Sequence, residues 1–436
     1  MKCDSCGAES NFESGFVKER KSFRFTRRTL CRVCWTKRRH SFEGWYQVAV
    51  ILGGVAGYIL LRLNPWSVAG HLLTTLFLVD LFLILTIVPH ELGHAIVGSL
   101  LGWRVFAVVI GVGRQIFKFH LFGIIFSLHW LPIGGITMLA PVDSRWFRSK
   151  RFFVFLAGPM VNAIIAAIIF LIWWPAWQAF GLMGLPEPAR LCLWANLWVM
   201  AANLWPRQSK ALNQATDGKQ LLRTFSRKKE DVEELQAARF ALEAMVRRDE
   251  YKDSAGALDW CNKGLALFPK NVALLNVSGI LLLDQQEYNR AREVFLQLLS
   301  QEATRDATRY VILNNIAYVD ALIGAPDLLT EADSYSKEAC AAAPWVPQFT
   351  GTRGAVLVAI GQLEPGIKLL KDAFEKVKTS RSKAENACHL AIAYARLGNR
   401  YEADKFLKLA RESDSQCRLI ERADEEFQKC PELPVK

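Results

Sequence analysis

The chain has 436 residues, of which 51% are hydrophobic, and it carries a formal net charge of +12. This length allows two or three domains, and the concentration of apolar residues in the first half excludes a purely soluble protein. The positive charge alone would suit a nucleic-acid-binding protein, but its distribution along the chain favours a membrane protein.

The first predicted element is a small zinc ribbon over residues 1–40. It contains two C-x-x-C pairs, formed by Cys3 with Cys6 and by Cys31 with Cys34. Four thiolates can close a tetrahedral zinc site around which a short ribbon folds, so these residues predict a structural zinc. Disulfides are the alternative, and the cytoplasmic position that we expect for this segment disfavours them.

Four long apolar runs predict transmembrane helices. They cover residues 45–63, 72–101, 152–175 and 188–206, and each is near the ~20 residues that cross a bilayer as a helix. Ten Lys or Arg residues lie between Lys18 and Arg39, whereas the connections 64–71 and 176–187 contain none. By the positive-inside rule, four spans place both termini in the cytoplasm, and we expect the cytoplasmic membrane of a bacterium.

The second span contains the sequence Pro89-His90-Glu91-Leu92-Gly93-His94. On a helix, His90 and His94 share a face, so both imidazoles can reach one Zn²⁺. Glu91 lies part of a turn away, where it can contact a water at the metal without being a ligand. Ionisable groups are costly in an apolar span, so the alternative of a satisfied polar cluster is less favoured than a metal site.

The connection between the second and third spans predicts a β-hairpin. Its segments 105–112 and 119–128 are rich in Val, Ile and Phe, and a turn is expected at residues 113–115. A hairpin at membrane depth must be shielded by protein. An exposed edge within 105–128 could bind an unwound substrate by strand addition, and the alternative is a hairpin that only plugs the bundle.

A catalytic zinc with two histidine ligands needs a third protein ligand. Asp217 is predicted, because it follows the fourth span and lies toward the cytoplasmic side, like the histidine pair. Asp80 and Asp143 are the alternatives, although Asp80 is ten residues before His90, which is ~15 Å along a helix.

These motifs resemble those of the site-2 protease family of intramembrane zinc metalloproteases. H-E-x-x-H is found at residues 90–94, N-x-x-P at 203–206 and D-G at 217–218, and the stretches 157–162 and 131–135 agree as well. The resemblance covers roughly residues 75–225. It implies Asp217 as the third zinc ligand, and Asn203 and Asn162 as groups that position the substrate or stabilise the oxyanion.

From residue 230 onward the composition is that of a soluble helical protein. Pairs of small residues 12 positions apart recur, as in Gly279 with Ala291 and Gly354 with Gly366. Small residues at these positions allow two antiparallel helices to cross closely, so we predict about five tetratricopeptide-like repeats over 238–417. An irregular helical bundle is the alternative. A solenoid of such repeats suits a protein ligand.

The sequence thus predicts a multi-pass α-helical membrane protein with about four spans, a small β-hairpin, an N-terminal zinc ribbon and a C-terminal α-solenoid. The expected domains are residues 1–40, 41–229 and 230–436. The expected function is intramembrane hydrolysis of transmembrane proteins near the cytoplasmic side, with one catalytic and one structural zinc and with Glu91 as general base and then acid.

Two rival functions are a catalytically silent membrane scaffold that recruits proteins through its repeats, and a membrane-tethered nucleic-acid regulator that acts through residues 1–40. Glu91 argues against the scaffold, because a structural metal site needs no acid/base carboxylate between its ligands. Because the distribution of positive charge favours membrane orientation, nucleic acid is not an expected partner. The expected partners are the lipid bilayer, a transmembrane substrate and a protein ligand of the repeats.

Overall fold

The computed structural model describes residues 2–5, 16–20, 27–209, 214–226, 229–301 and 306–431. The chain divides into two compact units. Residues 37–246 form one, which we call the central unit, and residues 1–36 with 247–436 form the other, which we call the repeat unit.

The secondary structure begins with an antiparallel pair of strands, β1 (Phe16–Arg20) and β2 (Arg27–Cys31). The central unit then consists of long helices around a β-hairpin. Its elements are α1 (Arg32–Leu63, which begins in the repeat unit), α2 (Val68–Leu100), β3 (Trp103–Leu121), β4 (Ile124–Pro141), α3 (Phe147–Ile172), α4 (Trp174–Phe180), α5 (Glu187–Leu204), β5 (Gln208–Ser209), β6 (Gln214–Ala215), α6 (Asp217–Ser226) and most of α7 (Lys229–Asp249).

Three helical segments of the described residues are long and apolar enough to cross a membrane: Gly44–Leu63, Val68–Leu100 and Phe147–Ile172. The fourth predicted span forms α5, which has 18 residues. At 1.5 Å per residue this helix is about 27 Å long, close to the ~30 Å of a bilayer's hydrocarbon core. The three spans agree with the sequence analysis, and the crossing of the membrane by α5 stays a prediction.

The hairpin differs from its prediction. The turn expected at residues 113–115 was wrong, because β3 continues to Leu121 and the chain reverses at Phe122 and Gly123, which both have positive φ. Gly111 and Gly113 also have positive φ, and these residues bend the strand instead of ending it. As a result, residues 107–110 of β3 pair with 125–128 and also with 135–138.

Helices α2 and α3 pack closely because a glycine lies where they cross. A Cβ atom at Gly93 would lie 2.8 Å from Cγ2 of Val161 and 3.0 Å from the carbonyl oxygen of Ala157. Glycine therefore allows the two backbones to approach, as small residues do between membrane helices. This crossing brings the middle of α3 against the histidine turn of α2.

The repeat unit contains consecutive helix hairpins, in agreement with the predicted repeats. The crossing of Gly354 and Gly366 is as expected, since a Cβ atom at Gly354 would lie 3.0 Å from the carbonyl oxygen of Gly366. The helices are α8 (Ser254–Leu267), α9 (Val272–Asp284), α10 (Tyr288–Leu299), α11 (Asp306–Ile323), α12 (Pro326–Ala342), α13 (Pro347–Ala359), α14 (Leu363–Lys376), α15 (Ser380–Arg396), α16 (Arg400–Ser413) and α17 (Ile420–Gln428).

A buried carboxylate joins distant parts of the repeat unit. Asp284, at the end of α9, accepts hydrogen bonds of 2.5 Å from Arg248, Arg381 and Arg418. Burial alone would raise the pKa of Asp284, but the arginines lower it below its ordinary value. The carboxylate is therefore ionised at neutral pH and holds helices that are far apart in sequence together.

Candidate metal centre

The two histidines of α2 lie side by side inside the central unit. His90 and His94 are 4% and 6% exposed, and their ring centroids are 5.0 Å apart. Asp217, the first residue of α6, reaches them, because its Oδ2 lies 3.1 Å from Nε2 of His90 and 3.4 Å from Nε2 of His94. The geometry thus brings together the three residues that the sequence analysis selected.

These distances fit a zinc ion. Ligand atoms at about 2.0–2.1 Å from a tetrahedral zinc are about 3.3 Å from one another, which is near the observed separations. Asp217 supplies a carboxylate oxygen, and the ionised form of this group is the one that binds zinc.

Gly158 of α3 leaves the space that an ion would fill. A Cβ atom at Gly158 would lie 2.4 Å from Nε2 of His94 and 2.7 Å from Nε2 of His90. A side chain at this position would occupy the space next to the two ligating nitrogens. The stretch 157–162 agrees with the motifs of the family, but the sequence alone does not show the role of this glycine.

The position of Asp217 depends on the close approach of two helix ends. A Cβ atom at Gly218 would lie 1.8 Å from the carbonyl oxygen of Leu204 at the end of α5, so only glycine fits there. Thr216 Oγ1 lies 2.7 Å from the carbonyl oxygen of Trp205, to which it donates, and it accepts a hydrogen bond from the backbone N–H of Arg207. These contacts bring α6 back onto α5 despite the long connection between them.

The two alternative ligands lie elsewhere in the described structure. Asp143 is exposed and forms an ion pair with Lys150 at 3.1 Å. Asp80 accepts hydrogen bonds from Tyr46 and Gln47 of α1. Among the described residues, neither belongs to the group formed by His90, His94 and Asp217.

The outer nitrogens of both imidazoles have acceptors. Nδ1 of His94 lies 2.7 Å from the carbonyl oxygen of Val154, and Nδ1 of His90 lies 2.7 Å from Oδ1 of Asn162. Because these oxygens only accept, each Nδ1 carries a proton and each Nε2 presents its lone pair to the centre. This is the tautomer that a metal requires.

Glu91 lies beside the ligands and is 7% exposed. The hydroxyl group of Thr137 on β4 lies 2.7 Å from its Oε2. A Cβ atom at Gly135 would lie 2.8 Å from its Oε1, so this glycine leaves room for the carboxylate. Sequence reasoning missed Thr137, because a single hydroxyl 46 residues away gives no signal that it faces Glu91.

A cavity of about 790 Å³ opens onto the site. Asn203 of α5 lines it, and the amide of Asn203 also donates to the carbonyl oxygen of Val199 at 3.0 Å. Asn162 is fully buried and lies behind His90. The two predicted asparagines are therefore in different environments, one at the cavity and one outside it. Other residues that line the cavity include Ile87, His90, Glu91, His94, Gly134, Gly135, Ile136, Thr137, Leu139, Phe155, Arg207 and Asp217.

A second group of side chains that could hold a metal ion lies in the repeat unit. The sulfur atoms of Cys3, Cys31 and Cys34 are within 4.8 Å of one another. The backbone N–H of Cys31 lies 3.2 Å from Sγ of Cys3, and such bonds stabilise a thiolate. Cys6, the fourth predicted ligand, lies outside the described residues.

A family model described as Peptidase family M50 matches residues 77–393. The match covers most of the chain, so the chain belongs to this family of membrane metalloproteases, and the resemblance to the site-2 proteases is confirmed.

Relatives agree with this family. A protein of Helicobacter pylori, provisionally named a zinc metalloprotease, is 40% identical over 65 residues, which are 15% of this chain and 19% of that protein. A Clostridium perfringens protein with the same provisional name is 37% identical over 94 residues, which are 20% of this chain and 28% of that protein. The chain thus matches less than a third of the length of either relative.

Solved structures similar to the chain include a thermophilic TPR protein of Thermus thermophilus and the type IV pilus biogenesis factor PilW. They are 20% and 19% identical, with TM-scores of 0.35 and 0.32. The similarity covers 45% and 44% of this chain, and 99% and 88% of theirs.

Replacement of Gly158 by alanine tests the fit of a metal. We expect Gly158→Ala to lose about one zinc per chain, because the added methyl group competes for the space beside the ligating nitrogens. Zinc content measured by atomic emission on the purified chain in detergent checks this. Gly44→Ala is the matched control, since a Cβ atom at Gly44 would meet nothing within 4 Å. Equal zinc in both variants would contradict the assigned position.

Proposed function

We propose that the chain is an intramembrane zinc metalloendopeptidase that hydrolyses peptide bonds of transmembrane proteins near the cytoplasmic side of the membrane. The observation that carries this proposal is the buried group of His90, His94 and Asp217 with Glu91 beside it. A purely structural site would need the three ligands but not Glu91, which Thr137 holds at the wall of the cavity.

A zinc ion bound by these ligands would polarise the scissile carbonyl group and lower the pKa of water to about 7. Glu91 is placed to act as the general base toward the attacking water and then as the acid that protonates the leaving amine. Thr137 donates to Oε2 of Glu91, which leaves Oε1 to accept the proton. Asn203, the asparagine on the cavity wall, is the group that we assign to the oxyanion. We assign Asn162 to the orientation of His90 instead.

We propose that the substrate binds as an added strand along β4. Residues 135–139 pair with β3 on one side, and Gly135, Ile136, Thr137 and Leu139 line the cavity beside Glu91. A peptide bound at this edge would gain partners for its backbone, which a helix unwound within a membrane otherwise lacks. The edge expected from sequence, within 105–128, is unsuitable at residues 107–110, because they already have partners on both sides.

The membrane topology is part of the proposal. Four spans formed by α1, α2, α3 and α5 place both termini in the cytoplasm, in keeping with the Lys and Arg residues before α1 and after α5. We retain the domain boundaries 1–40, 41–229 and 230–436. We also propose a bacterial cytoplasmic membrane as the location.

The N-terminal and C-terminal regions have separate proposed roles, metal binding and protein binding. Cys3, Cys31 and Cys34 would hold a structural zinc together with Cys6, so that the chain binds one catalytic and one structural ion. The helix hairpins of the repeat unit are proposed to bind a protein, either the substrate or a regulator.

Cleavage of a model transmembrane substrate by the purified chain tests the proposed chemistry. We expect Glu91→Gln to keep its zinc but to lower the cleavage rate by about a hundredfold to ten-thousandfold, because the general base is lost. Asp217→Ala should lose both cleavage and the catalytic zinc. Asp143→Ala removes an exposed carboxylate outside the site and should match the unaltered chain.

Full zinc content with no cleavage of any substrate tested would contradict the protease and favour the silent scaffold. Loss of zinc in Asp143→Ala but not in Asp217→Ala would show that the third ligand is wrong.

Ile136→Pro tests strand addition, since Ile136 lies in the part of β4 that lines the cavity and proline removes a backbone N–H there. We expect cleavage to fall by about tenfold, as for a lost hydrogen bond, while the zinc content stays the same. Ile116→Pro is the control, because Ile116 is exposed on β3 and does not line the cavity. Equal activity of the two variants would argue that the hairpin only plugs the site.

A further inference from the structure

A row of buried amide groups leads away from the metal centre to helix α5. Oδ1 of Asn162 lies 2.7 Å from Nδ1 of His90, and Nδ2 of Asn162 donates to Oδ1 of Asn196 at 3.1 Å. Nδ2 of Asn196 donates in turn to the backbone carbonyl oxygen of Cys192 at 2.9 Å. No motif in the sequence marks Asn196, and the proposed mechanism does not use it.

We infer that Asn196 is a positioning residue of the metal site, which sets the orientation of Asn162 and, through it, the tautomer and direction of the His90 ring. This inference rests on the proposed metal site. It gives helix α5 a function in the metal site through a residue that lies well before Asp217 in the sequence.

The direction of every bond in the row follows from its last member. The carbonyl oxygen of Cys192 can only accept, so the amide nitrogen of Asn196 must face it. The oxygen of Asn196 then faces Asn162, whose nitrogen must donate to it. The oxygen of Asn162 is thereby turned to His90, where it accepts the proton of Nδ1 and leaves the lone pair of Nε2 for the metal.

Burial makes this direction hard to reverse. Asn162 is fully buried and Asn196 is 2% exposed. A flip of either buried amide would set donor against donor or acceptor against acceptor. Helix α5 is held against α3 by the packing of Leu193 on Ala166, so Asn196 cannot withdraw from the row.

The two ligating histidines differ in the groups that orient their rings. His94 is oriented directly by the backbone carbonyl group of Val154, whereas His90 depends on two side chains. A change at Asn196 should therefore disturb one ligand and leave the other in place. Such a change weakens metal binding without abolishing it, unlike the removal of His90 itself.

Cobalt binding to the full chain in detergent tests this inference. Cobalt at the histidine site is followed by its visible absorption, and cobalt at the cysteine site is recognised by its thiolate charge-transfer band. We expect Asn196→Leu, which keeps the volume but loses the hydrogen bonds, to weaken cobalt affinity at the histidine site about 10–100-fold, as is typical for partners of metal ligands. Its visible spectrum should shift as well.

The double variant separates positioning from packing. If Asn196 acts through Asn162, then Asn162→Leu with Asn196→Leu should bind cobalt no more weakly than Asn162→Leu alone. Losses that multiply in the double variant would overturn the inference. Nδ2 of Asn196 also lies 3.6 Å from Sγ of Cys192. Cys192→Ser keeps an acceptor there as well as the backbone carbonyl group that orients Asn196, so its affinity should equal that of the unaltered chain.

Asn196→Ala serves as a second variant if the leucine prevents folding, and thermal unfolding of the full chain in detergent reports whether a variant is folded. Unchanged affinity in both Asn196 variants, with cobalt lost in His90→Ala, would overturn the inference and leave the proposed function standing. Cobalt retained at the histidine site in His90→Ala would instead refute the metal site itself.

Discussion

The metal centre depends on the close contact between α2 and α3. Gly93 lets the two backbones approach, and Gly158 then lies beneath both imidazoles without filling the space between their Nε2 atoms. The same contact brings the carbonyl group of Val154 to His94 and the amide of Asn162 to His90. A methyl group at either glycine would separate the helices or occupy the site, so the placement of the two histidines, their tautomers and the space beside their Nε2 atoms all follow from one helix crossing.

Helix α5 and strand β4 position the remaining groups of the site, Asp217 and Glu91. The end of α5 approaches α6 through Gly218 and so delivers Asp217 to the histidines. Strand β4 brings Thr137 to Glu91 and presents an unpaired edge to the cavity among the described residues. The proposed ligands thus come from the helices, and the hairpin supports Glu91, the proposed acid/base, and carries the edge at which we propose that an extended peptide binds. This arrangement keeps costly polar groups together in an otherwise apolar unit.

Much of this could be predicted from sequence, because the signals were local or periodic. His90, Glu91 and His94 lie within five residues of one helix, and the repeat helices have small residues at a fixed spacing. The support of the site could not be predicted in this way. Thr137 contacts Glu91 and Asn196 contacts Asn162 across long separations in sequence. Only the folded structure shows that these side chains face each other. The turn of the hairpin was misplaced because glycines that bend a strand resemble glycines that end one.

Zinc K-edge X-ray absorption of the purified chain tests the metal centre directly. We expect zinc in two environments, one with sulfur neighbours at about 2.3 Å and one with nitrogen and oxygen neighbours at about 2.0–2.1 Å and the scattering pattern of imidazole. The second environment should disappear in Asp217→Ala. Zinc surrounded by sulfur alone in the unaltered chain would contradict the claim that His90, His94 and Asp217 form a metal centre.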